Sequence, residues 1–169
     1  MGCAESNMQL PLQHTFGLNS TLAEIAAGKF QGPHGSKIRT FTMPHSSPPE
    51  PVYVIPQPLP SDSDPAEWMV PSNLTADFSA LCWNFAVSLM NKTNSDVPLG
   101  LISSNVGGTT IQAWSERQKL LSTCKNVSDP EGSTVYYGGL YNGMIAPLVN
   151  TSVAGFLWYQ VSSTMCVQG

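Results

Sequence analysis

From Phe78 to Gly108 the sequence reads first as a helix and then as a strand hidden on both faces, and no other stretch restricts the fold as much. Phe78, Leu81, Cys82, Phe85 and Leu89 follow at i, i+3, i+4, i+7 and i+11, the spacing of an amphipathic helix. Thr75 and Asp77 suit its N-terminus, and Asn91-Lys92-Thr93-Asn94 ends it. Next comes Val97-Pro98-Leu99-Gly100-Leu101-Ile102-Ser103, an unbroken apolar run between polar turns, which is the composition of a buried parallel strand. Parallel strands need crossovers, so helix, turn, buried strand and glycine turn in this order predict an α/β sheet.

The remaining segments fit that frame. Lys37 to Met43 (KIRTFTM) alternates and is β-branched, as a strand would be, and Val153 to Tyr159 (VAGFLWY) reads as another buried strand. Asn19-Ser20-Thr21 can cap a short helix, Leu22 to Ala27, that Gly28 would stop. Glu116 to Leu121 is helical in pattern, Lys125 to Tyr137 reads as loop, and Leu140 to Leu148 reads as a short helix stopped by Pro147. Nine prolines between Pro44 and Pro71 exclude regular helix or central strand, so residues 44–71 are expected to form a long irregular excursion, with Trp68 pinning its end. A chain of 169 residues accommodates one domain of this kind.

Charge narrows the partners. Only 11% of residues are charged and the net charge is -4, so there is no basic patch for nucleic acid or for an anionic membrane surface. No apolar run reaches the roughly 18 residues of a transmembrane segment, and the first residues do not have the pattern of a signal peptide. Asn19, Asn73, Asn91, Asn126 and Asn150 stand in N-x-[ST] sequons, five of the ten asparagines, which points to a glycosylating, secretory route. Cys3, Cys82, Cys124 and Cys166 allow up to two disulfides there, with three full pairings open. No C-x-x-C is present and His14, His34 and His45 are scattered through polar loops, so no structural metal is expected.

In open parallel sheets, ligands bind beyond the carboxyl ends of the strands, and three short motifs fall there. Ser6 opens the first turn of the chain, Gly107-Gly108 follows the strand ending at Ser103, and Gln160 follows the strand ending at Tyr159. Tight glycine turns can aim backbone N–H groups at one point, as an oxyanion hole requires. Each motif alone has an ordinary reading as a cap, a turn or a surface amide. Met1-Gly2-Cys3 with Ser6 also fits a different pattern, N-myristoylation of Gly2 with a second acyl chain on Cys3, which would make a dually acylated membrane-surface protein.

Order and spacing decide between these. ESNMQLPL, FSALCWNFAVSL, VPLGLISSNVGGTTIQAW, LYNGMIAPL and VAGFLWYQ occur in the sequence of blocks that characterises the sialate O-acetylesterase family within the wider SGNH hydrolases, and the chain from Glu5 to Gln160 resembles that family. The resemblance implies a three-layer, flavodoxin-like parallel sheet with flanking helices, here expected to be incomplete at both ends, over residues 1–160, with residues 161–169 a divergent tail. It implies an esterase for O-acetylated sialic acids or other acetylated carbohydrates, working without cofactor. Ser6 matches the nucleophile, the Ser6 and Gly108 N–H groups match oxyanion donors, and Gln160 matches a side-chain donor, with Asn7, Gly107 and Thr109 in support.

Departures from the pattern are informative. Ala4-Glu5 replaces the family's Gly-Gln before the nucleophile, and Asn105-Val106 stands where Ser-Trp is usual. The family's general base comes from a downstream Asp-x-x-His, and no aspartate here has histidine three positions on. A serine without a base is a weak nucleophile, so little turnover is expected from this polypeptide alone, and a catalytically inactive glycan-binding or decoy form is the alternative. The strand feeding Ser6 is expected to be too short to hold the middle of a sheet. Family members are lysosomal or secreted; without a leader, the chain as written would stay in the cytosol.

Overall fold

The structure is a computed structural model that describes residues 2–4, 6–55, 66–93, 96–124 and 137–160, with Cys3, Ala4 and Ser6 described by their main chain. The strands in chain order are β1 (Gly2–Ala4), β2 (Gln31–Gly32), β3 (Gly35–Ser36), β4 (Ile38–Thr42), β5 (Leu99–Ser104) and β6 (Phe156–Trp158). The helices are α1 (Leu18–Ala26), α2 (Ala80–Thr93) and α3 (Arg117–Thr123). β2 and β3 form a small antiparallel hairpin. The other four make one parallel sheet in the order β4-β5-β1-β6, so the α/β expectation holds.

The strand feeding Ser6 differs from expectation. Although only three residues long, β1 lies inside the sheet, with Gly2, Cys3 and Ala4 opposite Ile102, Ser103 and Ser104 on one side and Phe156, Leu157 and Trp158 on the other. Pairing on both flanks satisfies its backbone groups, and that compensates for its length.

Strand alternation divides the apolar residues between two cores. Ile38, Leu101 and Leu157 face one, where α2 contributes Cys82, Trp83 and Ala86 and earlier segments contribute Met8, Leu12 and Phe30. Phe41, Met43 and Ile102 face the other, closed by Ala113, Trp114, Leu140 and Met144. Trp83, 1% exposed, is the largest fully buried side chain and meets the Phe30 ring edge-on at 5.1 Å between centroids.

The buried face of α2 is rotated from the predicted one. Cys82, Trp83 and Ala86 are buried, but Leu81 and Phe85 are exposed, because small Ala80 and Ala86 let the helix approach the sheet on their side. The expected cap is displaced as well. Ser72 caps a 3-10 turn over Asn73–Asp77 through a capping box with Thr75, and α2 begins only at Ala80. α1 starts before its expected cap, at Leu18, and Gly28 at φ 72° ends it as expected. Pro147 does not stop the Leu140 segment: a π turn over Tyr141–Ile145 passes into a 3-10 turn, Ala146–Leu148, whose first turn accepts the proline.

The proline-rich excursion is anchored rather than loose where the structure describes it. Asn142 Nδ2 donates to the carbonyls of Pro48 (3.1 Å) and Pro49 (3.0 Å), while its own carbonyl accepts from the Val52 N–H at 2.9 Å. At the far end Met69 exchanges two backbone hydrogen bonds with Thr40. Trp68 lies against Phe41 and over Gly100, where a Cβ would be 3.0 Å from its ring, so it does pin that end. Cys82 and Cys124 are both buried and disulfide-bonded.

Trp83→Ala should cost ~3–5 kcal/mol of unfolding free energy, because the cavity under α2 cannot collapse against a sheet held from its other face. Urea titration of the two proteins measures this, and a difference below about 1 kcal/mol would contradict the packing described.

Candidate active site

The site is built where β1, β5 and β6 end level. Their register places Ala4 between Ser104 and Trp158, so the segments after all three strands leave the sheet at one edge. After β1 the chain turns at once into a 3-10 helix, Ser6–Gln9. After β5 come Asn105, Val106, Gly107, Gly108 and Thr109, and after β6 comes Gln160. The topology therefore brings the segments carrying Ser6 and Asn7, Gly107, Gly108 and Thr109, and Gln160 to one end of the sheet.

The 105–109 turn is held at several points. Asn105 Nδ2 donates to Ser103 Oγ and to the Met8 carbonyl, tying the turn to the segment carrying Ser6. The Gly107 N–H donates to Gln9 Oε1 at 2.6 Å. Thr109 Oγ1 donates to the Val106 carbonyl (2.8 Å) and accepts from Trp114 Nε1 (2.9 Å). Gln160 Nε2 donates to the Thr109 carbonyl at 3.3 Å, and Gln160 Oε1 accepts from Trp158 Nε1 at 3.2 Å.

Gly108 sits at φ 73°, a left-handed conformation that side-chain-bearing residues adopt at a cost. Its N–H finds no acceptor among the described residues, and the residue is exposed. A free N–H on a turn pinned at both shoulders is what an oxyanion donor needs. One hydrogen of the Gln160 amide is used on Thr109, and the second has no acceptor among the described residues.

Sequence reasoning did not identify Gln9 or Asn105 as parts of the site. Gln9 lies inside the ESNMQLPL block, but its partner is 98 residues away, and nothing local signals that pairing. The histidines stand apart: His14 ends the 3-10 turn Leu12–His14, His34 lies in the β2–β3 turn and His45 follows β4, all exposed. Val153–Tyr159, expected to be buried, is a sheet edge on the described chain, with Phe156 72% and Tyr159 52% exposed. Beside it, Leu157, Trp158 and Tyr159 face Met8, Leu81 and Phe85 across a groove of about 410 Å3. Among the described residues, no helix is long and apolar enough to cross a membrane.

Thr109→Val should destabilise the fold by ~1–3 kcal/mol, since it leaves the buried Trp114 indole N–H without its acceptor at almost unchanged volume. Chemical denaturation measures the loss, and an unchanged midpoint would show that this hydrogen bond does not hold the turn.

The family model for sialic acid-specific acetylesterases among the carbohydrate esterases matches residues 57–166, which include the 105–109 turn and Gln160 and begin after Ser6. The sialate O-acetylesterase of Pongo abelii is 36% identical over 96 residues, 52% of this chain and 17% of that protein. The sialate O-acetylesterase of Rattus norvegicus is 25% identical over 92% of this chain and 33% of its own length. The crystal structure of a carbohydrate acetylesterase from Xanthomonas citri matches with a TM-score of 0.70 and 26% identity, over 95% of this chain and 32% of that one. The chain thus spans about a third or less of the length of these relatives.

Proposed function

This chain belongs to the sialic acid-specific acetylesterase family of carbohydrate esterases, and from that premise we propose that it serves the removal of O-acetyl groups from sialic acids or related sugars, with Ser6 as nucleophile. What chiefly supports this is the turn after β5, where the Gly108 N–H, without an acceptor among the described residues, stands at the end of the sheet from which the Ser6 turn also leaves. In this reading Ser6 Oγ attacks the acetyl carbonyl carbon. The oxygen that becomes negative is met by the Ser6 and Gly108 N–H groups and by the second amide hydrogen of Gln160. The sugar oxygen departs with a proton, and water then releases acetate from the acetyl-serine. Each oxyanion donor of this type is worth about 3–4 kcal/mol in serine hydrolases.

A three-layer, flavodoxin-like arrangement belongs to the same reading, supported by the two cores on opposite faces of the parallel sheet. The proton acceptor for Ser6 is expected from outside the sequence given, which contains no Asp-x-x-His. A glycan-binding chain without turnover is the second reading. The acylated, membrane-surface reading is disfavoured by Gly2, which is buried in β1 and donates its N–H to the Gly155 carbonyl at 3.0 Å.

With an O-acetylated sialic acid as substrate, the chain should bind saturably and release acetate slowly, and Ser6→Ala should abolish release while keeping binding. Acetate release unaffected by Ser6→Ala would refute the nucleophile assignment. Binding without any release would leave the glycan-binding reading, and rapid turnover lost in Ser6→Ala would show that no outside base is needed.

A secretory or lysosomal location is part of the proposal. It is supported by the disulfide-bonded Cys82 and Cys124 and by the exposure of the sequon residues Asn19, Asn73, Asn91 and Asn150; Asn126 lies outside the described residues. Expressed behind a secretory leader, the protein should lose mass on peptide-N-glycosidase treatment, with peptide mapping locating glycans at those four positions. Unoccupied sequons throughout would overturn this part.

A further inference from the structure

We propose that Gln9 is a positioning residue that clamps the Val106–Gly107 peptide and thereby fixes the direction of the Gly108 N–H; the proposal rests on the reading of Ser6 as nucleophile and Gly108 as oxyanion donor. One peptide group is held at both ends. Its carbonyl, on Val106, accepts from Thr109 Oγ1 at 2.8 Å within the turn, and its N–H, on Gly107, donates to Gln9 Oε1 at 2.6 Å from across the site. Beyond Gly108, the Thr109 hydroxyl and carbonyl are taken by Trp114 and Gln160. Gly108 is thus restrained from both sides; the turn that begins with Ser6 supplies two of the restraints, the Met8 carbonyl on Asn105 and Gln9 on the Gly107 N–H next to Gly108.

The two glycines are glycines for different reasons. Gly108 has φ 73° and nothing within 4 Å of a built Cβ, so its backbone alone demands glycine. Gly107 is not among the residues at positive φ, and the obstacle to a Cβ there is Gln9, whose Oε1 would be 2.5 Å away. Gly107 is therefore fitted to the Gln9 amide, and a methyl at 107 would displace that amide. Since Gln9 is exposed, the contact contributes little burial, and its effect falls on orientation.

The test is modification of Ser6 by a fluorophosphonate at about pH 9, where solvent hydroxide can accept the serine proton. Ser6 Oγ forms the new O–P bond, the P–F bond breaks and fluoride leaves, while the phosphoryl oxygen occupies the place of the ester oxyanion. Gln9→Met keeps the length of the side chain and removes the acceptor. It should slow the second-order rate about tenfold, with Tm changed by no more than ~2 °C. Gly107→Ala should slow it similarly, and the double variant should be no slower than either single one, since both remove the same contact.

Modification of Gln9→Met at the parental rate, or a double variant slowed by the product of the single effects, would overturn the proposal while leaving Ser6 as nucleophile. A slower rate that appears only with enough loss of Tm to unfold the protein during the assay assigns Gln9 a structural role and also overturns it. If peptide mapping finds no adduct on Ser6 in the parent protein, the nucleophile reading fails and this proposal falls with it.

Discussion

Three residues hold the sheet together. Among the described residues, Gly2, Cys3 and Ala4 form the strand that lies between β5 and β6 in the four-stranded sheet, and every residue assigned to the site leaves the sheet beside them. The close approach of β6 depends on Gly2 being glycine, since a Cβ there would lie 2.9 Å from the Phe156 ring. Because the three strands are in register at Ala4, Ser104 and Trp158, their following turns meet without a long loop. A shift of one residue would move the Ser6 turn along the edge and invert the faces of β1.

The second level of order is polar and local. Neutral hydrogen bonds from Asn105, Gln9, Thr109, Trp114 and Gln160 pin the turn after β5, and they leave the Gly108 N–H unsatisfied among the described residues. A dipole held rigidly in advance stabilises developing charge without reorganising when the reaction occurs, which is why a restrained turn matters more here than a flexible one. The surface ion pairs lie away from this region. Lys37 and Asp96 meet at 2.8 Å before β4 and β5, where the lysine hydrogen bond holds the Asp96 carboxyl below its usual range.

Where hydropathy and structure part, the reason is the choice of face. Phe85 and Leu81 satisfy the helical period as well as Trp83 and Ala86 do, so periodicity could not say which stripe meets the sheet. Small residues at 80 and 86 permit the closer approach, and the larger apolar side chains turn instead to the groove beside β6. VAGFLWY is apolar enough to be a central strand, yet β6 pairs on one side with β1 and leaves Phe156, Trp158 and Tyr159 exposed. Hydropathy states what a residue would prefer, and strand order decides which neighbours it receives.

The sequence by itself determined the fold class, through one helix, one buried strand and a glycine turn in that order, and it determined the family through blocks whose residues are contiguous. It also located the candidate nucleophile, the oxyanion glycine and Gln160, because strand ends are where such motifs act in a parallel sheet. Only the tertiary structure decided that a three-residue strand could stand inside the sheet, since that depends on partners in register from residues 102–104 and 156–158. It alone paired Gln9 with Gly107 and Asn105 with Met8, contacts spanning 98 and 97 residues. Periodicity and local propensity act over a few residues, whereas these contacts exist only after β1 and β5 have come together.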